Sequence, residues 1–516
     1  MSRLLEGARR SAPNRIPRSS KHGKRNVLRI AAIDAWLIVL LSLLAFIVAD
    51  TALNHGYLAE ADAREGVIVA ASGMAVGLLA VRVLSGPMHP LSVMAVIAYS
   101  HFALFVLRPY YMMNEASSVN AFTRVPYGDA FVLASVVAGI GFASIAVGYG
   151  LASPPNRDSL PLLGLRTLSP RGSRRLEACL LVIAVAGFVL FGVFVLQTGI
   201  TEYFSGVSGG RSGVVRRAVA SSTAYLSSGL QFASGALLLL ALQARLTNRN
   251  TLGYVYLVLL GAANYPDIAA GNRSVFIPLT VATILILYTT NRQVLSPLLA
   301  AIWMPLVFVF GFIAPRLWRD QLSQGIPLEQ SISSAFDPTN AVGDFVGGLD
   351  TAMVDALEVQ VAAQESGSLG LQYGGTYIAN LLAPIPRNIW PLKPESVDEL
   401  LNAALFPQTD SLGIGFAFGF YSEPYFNFGI FGVMLVCLAV GTGLGLLTKA
   451  VARSRGLVGG FILIMVIGFV FPLMRGSLTF DGQRLLIVAL PSVAVAVYCC
   501  YRERHLTTSG VACVER

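Results

Sequence analysis

The chain is a succession of long apolar stretches separated by shorter polar ones. About twelve runs reach the roughly 20 residues that a helix needs to cross a bilayer, near 28–49, 66–84, 90–107, 129–151, 177–197, 224–244, 252–270, 274–291, 294–314, 427–447, 457–474 and 485–501. Segments of this length can satisfy their backbone N–H and C=O groups inside lipid only as helices. The pattern therefore predicts an all-α polytopic membrane protein of about 12 transmembrane helices. Composition agrees, with 55% hydrophobic and 13% charged residues and a mean hydropathy of +0.66. The expected layout is a basic tail (1–27), helices 1–9 (28–314), one large loop (315–426), helices 10–12 (427–501) and a short tail (502–516). No stretch outside the apolar runs is long enough for a typical separate globular domain.

Charge orients this bundle. The first 27 residues carry Arg3, Arg9, Arg10, Arg15, Arg18, Lys21, Lys24 and Arg25 against the single acid Glu6. Such a leader resembles the start of a signal peptide, but no small-residue cleavage site follows the run 28–49, which reads as a retained first helix. With this end in the cytoplasm and twelve crossings, the inner segments hold 24 Lys/Arg and 6 Asp/Glu, and the outer segments 13 and 22, of the chain's 37 and 28. That bias is self-consistent and puts both termini in the cytoplasm. The formal net charge of +9 reflects the anionic inner leaflet and calls for no nucleic acid.

Other residue types narrow the chemistry. Cys179, Cys437, Cys499, Cys500 and Cys513 fall in helices or the inner tail, so no outer disulfide framework is expected. His22, His55, His89, His101 and His505 are scattered without metal-ligand spacing. The pair Glu60 and Asp62 in the first outer loop reads as solvated loop acids. A metal-independent protein without a cofactor is expected.

The outer segment 315–426 is too long to be only a connector. Within it, Asn340–Glu365 reads as an amphipathic helix. Val342, Val346, Leu349, Met353, Leu357 and Val361 recur at three- and four-residue steps, and Asp344, Asp350, Asp355 and Glu358 occupy much of the remaining surface. It would serve as a lid on the outer mouth or pack against neighbouring loops. Next comes a rigid stretch with Pro384, Pro386, Pro391 and Pro394, where no regular helix can form and Arg387, Trp390 and Lys393 are held in set positions. A glycine- and aromatic-rich stretch, 412–432, leads into helix 10. No internal repeat suggests a transporter's duplicated halves.

The segments IPRNIWPLKP at Ile385–Pro394 and GFYSEPYFNFGIFG at Gly419–Gly432 resemble the bacterial oligosaccharide repeat-unit polymerases, the O-antigen polymerases of the Wzy type. The Gly271-Asn272-Arg273 step before a helix and the late, large outer loop are similar to that family as well. The second half of the chain carries the resemblance; the first half shares only its hydropathy. The resemblance implies a GT-C-like bundle that acts on a repeat unit linked to undecaprenyl pyrophosphate at the periplasmic face of the inner membrane. The growing chain would pass from its lipid carrier to a new lipid-linked unit, with release of undecaprenyl pyrophosphate. A chain-length regulator is a possible partner.

Thirteen outer cations, twelve of them arginine, suit that chemistry, because guanidinium groups bind phosphate in a bidentate way and stabilise a pyrophosphate leaving group. Candidate pyrophosphate ligands are Arg211, Arg216, Arg217, Arg273, Arg475 and Arg484, with Arg387 catalytic. Arginine near a helix end also commonly snorkels or pairs with an acid. Glu423, between Phe420, Tyr421 and Tyr425, is the candidate base for the acceptor hydroxyl, with a structural hydrogen-bonding role as the alternative. Asp481 is the second choice. Trp390, Lys393, Tyr425 and Asn427 are candidate sugar contacts. Related ligases use a histidine near a comparable position, and this chain has none in the large outer loop. An O-antigen ligase, another lipid-dependent glycosyltransferase and a glycolipid flippase are the competing classes.

Overall fold

A computed structural model describes residues 20–53, 61–114, 119–153, 160–203, 224–265, 273–290, 346–349, 351–382, 394–411 and 415–508, and the single positions 330, 343 and 390. Helices stand at eleven of the twelve apolar runs: α1 (Ser20–Leu53), α2 (Ala61–Ser85), α3 (Val93–His101) continuing into α4 (Arg108–Asn114), α5 (Asp129–Ala152), α6 (Pro170–Thr198), α7 (Gly229–Leu246), α8 (Asn250–Ala263), α9 (Arg273–Thr290), and, after the large segment, α13 (Ser422–Ser454), α14 (Leu457–Arg475) and α15 (Leu478–Thr508). The twelfth run, 294–314, lies outside the described residues. Among the described residues, nine helices are long and apolar enough to cross a membrane, while α8 and α9 are apolar but shorter. The chain is a multi-pass, all-α membrane protein.

Local sequence sets the helix starts. Ser92 accepts a hydrogen bond from Ala95 N, and Ser169 accepts one from Gly172 N with Pro170 at the first helical position. Between α3 and α4, Phe102–Leu107 forms a π-helical turn, which re-aims the residues that follow it.

Small residues let the helices approach, as they must where lipid is as apolar as the side chains. The central pair of contacts is α2 along α5 and α5 along α13. A Cβ at Gly441 would collide with Ile145 O, one at Gly148 with Leu438 O, and one at Gly73 with the Gly139 backbone. On the other flank α7 packs between α6, α8 and α15, with Gly187 against Gly229 and Gly235 against Val488 O. One end of the bundle is tied by Ser169 N–Glu503, Arg166 N–Arg455 O and Arg249–Glu177 contacts. The opposite end carries the large segment.

Two elements at that opposite end matter for the site. Of the predicted amphipathic helix, the described residues include α10 (Met353–Glu365) and helical residues at 343 and 346–347, and two acids expected at its surface are not there. Asp355 and Glu358 are buried along with Met353, Val354 and Leu357. The reason is a cation that the periodicity of α10 could not reveal. Arg108, at the start of α4, donates to both Asp355 oxygens, to Val346 O at 2.7 Å and to Gly348 O at 2.9 Å. Asp344 and Asp350, read with them as surface acids, lie outside the described residues.

The second element is the stretch that leads into and opens α13. Phe418–Asn427 is buried throughout. The Tyr421 ring fills the space beside Gly141, in the middle of α5, and its hydroxyl pairs with His101 Nδ1 at 2.9 Å. The chain then reverses at Gly429, whose φ of 63° suits glycine and breaks α13 into two helical pieces. Gly432 consequently packs on Pro424 O and Phe428, whereas residues eight apart in a straight helix are about 12 Å apart along the axis. This segment therefore dips into the bundle to the level of α5's midpoint and returns. Non-helical backbone at that depth is tolerated because protein surrounds it on all sides.

Candidate functional site

Two further helices of the large segment, α11 (Gly375–Leu381) and α12 (Val397–Leu405), pack beside this dip. The strand of chain ahead of α11 is strapped to it by backbone bonds from Gln372 N to Phe426 O and from Tyr373 N to Asn427 O, each 3.1 Å. Gly374, with φ 92°, then donates its N–H to Asn427 Oδ1 at 2.9 Å. Thr376 sits at the centre, donating to Glu423 Oε1 at 3.1 Å and accepting from Asn427 Nδ2 at 2.7 Å. Glu423, Asn427 and Tyr425 are all buried. Burial and the nearby Glu423 carboxylate push the Tyr377 hydroxyl well above its ordinary range.

α11 also touches α15, where Gln483 Nε2 donates to Asn380 Oδ1 at 3.2 Å. α12 begins with a capping box between Ser396 and Glu399, which places Asp398 in its first turn. Asp398 Oδ2 accepts from Ser477 Oγ at 2.7 Å, just past the end of α14. Burial raises the Asp398 carboxyl to about 6; the Ser477 bond and the Arg475 and Arg484 charges hold it back from rising further, while the Glu399 charge pushes it up. Arg484 Nη1 stands 3.8 Å from Asp481 Oδ1 in the first turn of α15. The dip joins this group where Phe420 N donates to Met474 O at 3.2 Å.

Of the residues expected from sequence, the fold thus brings Glu423, Tyr425, Asn427, Arg475 and Arg484 to one end of the bundle, around α11. Arg475 and Arg484 are partly exposed there and Trp390 is also partly exposed. Arg273 opens α9. Arg211, Arg216, Arg217, Arg387 and Lys393 lie outside the described residues. No cluster of metal-ligating side chains occurs among the described residues.

Several members of the site were not read from sequence. Asp398 looked like one loop acid among many, although its place in a Ser-x-x-Glu box gives its position. Thr376 and Ser477 carry no signal of their own. His101 stood alone in sequence, yet it lies beside the dip, stacked on Phe105 with ring centroids 5.2 Å apart. Arg108 directly follows an apolar run, as Arg475 does, and that signal could have singled it out.

Compared with known proteins, the chain matches no family model, no curated protein and no solved structure.

Proposed function

We propose that this protein is a glycosyltransferase that polymerises undecaprenyl-pyrophosphate-linked oligosaccharide repeat units at the periplasmic face of a bacterial inner membrane. The observation that carries the reading is the meeting of the dip with the helices on either side of 385–394. Ile385–Pro394 is flanked by α11 and α12, and those helices are fastened through Asn380–Gln483 and Asp398–Ser477 to the end where Arg475 and Arg484 stand. The second resembling segment, the dip with Glu423, is fastened to the same α11 through Thr376. The dip and the two helices on either side of 385–394 thus border one polar site with two arginines.

The chemistry fits that setting. Pyrophosphate leaves with added negative charge, and fixed guanidinium groups at a lipid boundary stabilise it without needing to reorganise. Arg387, seven residues beyond Asn380, would join Arg475 and Arg484 in this task. Partners in this reading are the lipid-linked oligosaccharide, membrane lipid and a chain-length regulator. Ligation to another acceptor would use the same arginines.

Deleting the gene in its host and resolving the surface polysaccharide on a gel tests the reading. Loss of the ladder with one repeat unit still attached to core is expected. A bare core would point instead to ligation or flipping, and an unchanged ladder would overturn the assignment.

A further inference from the structure

Glu423 is badly placed to meet a substrate hydroxyl. It is sealed inside the dip and committed to Thr376. A different carboxylate at the same site has an unused lone pair. Asp481 is only 5% exposed, and its Oδ1 has no hydrogen-bond partner among the described residues; Arg484 Nη1 pairs with it electrostatically at 3.8 Å, beyond hydrogen-bond reach. A buried oxygen left in that condition requires an explanation. Its geometry is enforced: Oδ2 lies against Gly476, where any Cβ would collide with it, which leaves Oδ1 on the side of the partly exposed Arg484.

We infer that Asp481 receives the proton of the attacking sugar hydroxyl, with Asp398 as the positioning residue that sets its charge environment; this rests on the polymerase reading above. Asp398 on α12 lies close enough to interact electrostatically with Asp481, as do Arg475 on α14 and Arg484 on α15. Glu399 borders Asp398 in turn. In the reaction the hydroxyl oxygen bonds to the anomeric carbon while the bond from that carbon to the pyrophosphate oxygen breaks. The bonding pair leaves with the pyrophosphate. The hydroxyl proton passes to the ionised Asp481 carboxylate and from there to water. The two partly exposed arginines stabilise the departing charge. Glu423 keeps α11 and the dip in register.

The test uses membrane vesicles from a host lacking the chromosomal copy, carrying the full-length protein and that host's own lipid-linked oligosaccharide. Asp481→Asn is expected to lower the polymerisation rate by at least about 100-fold. Asp398→Asn removes a neighbouring negative charge, so it is expected to keep a measurable rate and to move the acid limb of the pH–rate profile to lower pH. A merely structural Asp398 would leave that limb in place. Polymerisation by Asp481→Asn within about threefold of the natural protein would overturn the inference and leave the polymerase reading intact; a buried water on Oδ1 as its only partner predicts that result. If Asp481→Asn fails to fold, as read from its unfolding temperature, the acid limbs of Asp398→Asn and Asp481→Glu decide, and limbs coincident with the natural one overturn the assignment. If the deletion host still makes its polymer, the polymerase reading falls and this inference with it.

Discussion

Arg108 and Asp355 form an ion pair at 3.0 Å with neither side chain exposed at all, and 247 residues of chain separate them. The pair joins the first half of the bundle to the large segment between α9 and α13. Burying two charges is costly, and it persists here because the hydrogen bonds are nearly complete. Arg108 also donates to the Val346 and Gly348 carbonyls, while Asp355 accepts from Tyr127 Oη at 3.2 Å and Ala121 N at 2.9 Å.

Removing one partner strands the other. Arg108→Met alone and Asp355→Leu alone are each expected to destabilise the protein by about 3–5 kcal/mol. The double variant should recover part of that loss, since no lone charge remains buried, though Tyr127 and Ala121 N–H lose their acceptor. Unfolding of the three variants in one detergent measures the coupling. Strict additivity would show that the pair does not hold the segment.

Glu358, next to this pair, gives the fold a pH dependence. Burial is the main cause that raises its carboxyl to about 7 and the Asp355 charge adds to it, against bonds from Asn120 Nδ2 at 2.8 Å and Gly128 N. A carboxyl with a folded-state pKa above the unfolded value binds its proton more tightly when folded. Its contribution is therefore full below the ordinary carboxyl range and is lost as pH rises through about 7. The loss is of the order of 1–3 kcal/mol. Glu358→Gln should flatten stability between about pH 5 and 8, measured by unfolding temperature against pH; an unchanged slope would assign it to another group.

The spans were legible in the sequence because lipid imposes one rule on every crossing, an unbroken apolar run. The periodicity of 340–365 misled for the opposite reason. Period alone reports two faces but not what lies opposite each, and the cation facing Asp355 comes from a different part of the chain. The dip was legible only as a motif. Gly419 and Gly429, with φ of 83° and 63°, are visible as glycines, but the reversal they allow depends on the room beside Gly141 in α5. Counting charges against the topological bias pointed to an arginine cluster, of which the described residues bring Arg475 and Arg484 together. Of its acid partners, Asp481 was legible from its place between Arg475 and Arg484, whereas Asp398 is distinguished from the other acids of the large segment by packing, not by pattern.

Gly141 offers a test of the dip that changes no charged residue. Its Cβ position is occupied by the Tyr421 ring, so Gly141→Leu must displace Tyr421 and break its bond to His101. Overpacking of this kind costs about 1–3 kcal/mol. The larger effect should fall on function: with Glu423 two residues beyond Tyr421, polymer formation in the deletion host is expected to drop at least tenfold in a variant that still folds. Pairing it with Tyr421→Ala, which restores the room but not the hydrogen bond, should recover folding more than activity. Equal recovery of both would mean that the dip serves packing alone.

Arg387 can be tested by exchanging one cation for another. If it binds the leaving pyrophosphate through two parallel N–H donors, lysine cannot replace it, since an ammonium keeps the charge but lacks the planar fork. Arg387→Lys should then be nearly as inactive as Arg387→Ala, with a loss of about 100-fold or more in polymerisation rate. Lys393, five residues from the end of the tether at Asp398, would act as a point charge, so Lys393→Arg should retain most of the rate while Lys393→Ala loses it. Both pairs are read in the same vesicles, with unfolding temperatures confirming that each variant is folded. Full activity in Arg387→Lys would reduce its role to long-range attraction, and the same salt sensitivity in all four variants would show that neither residue contacts the phosphate.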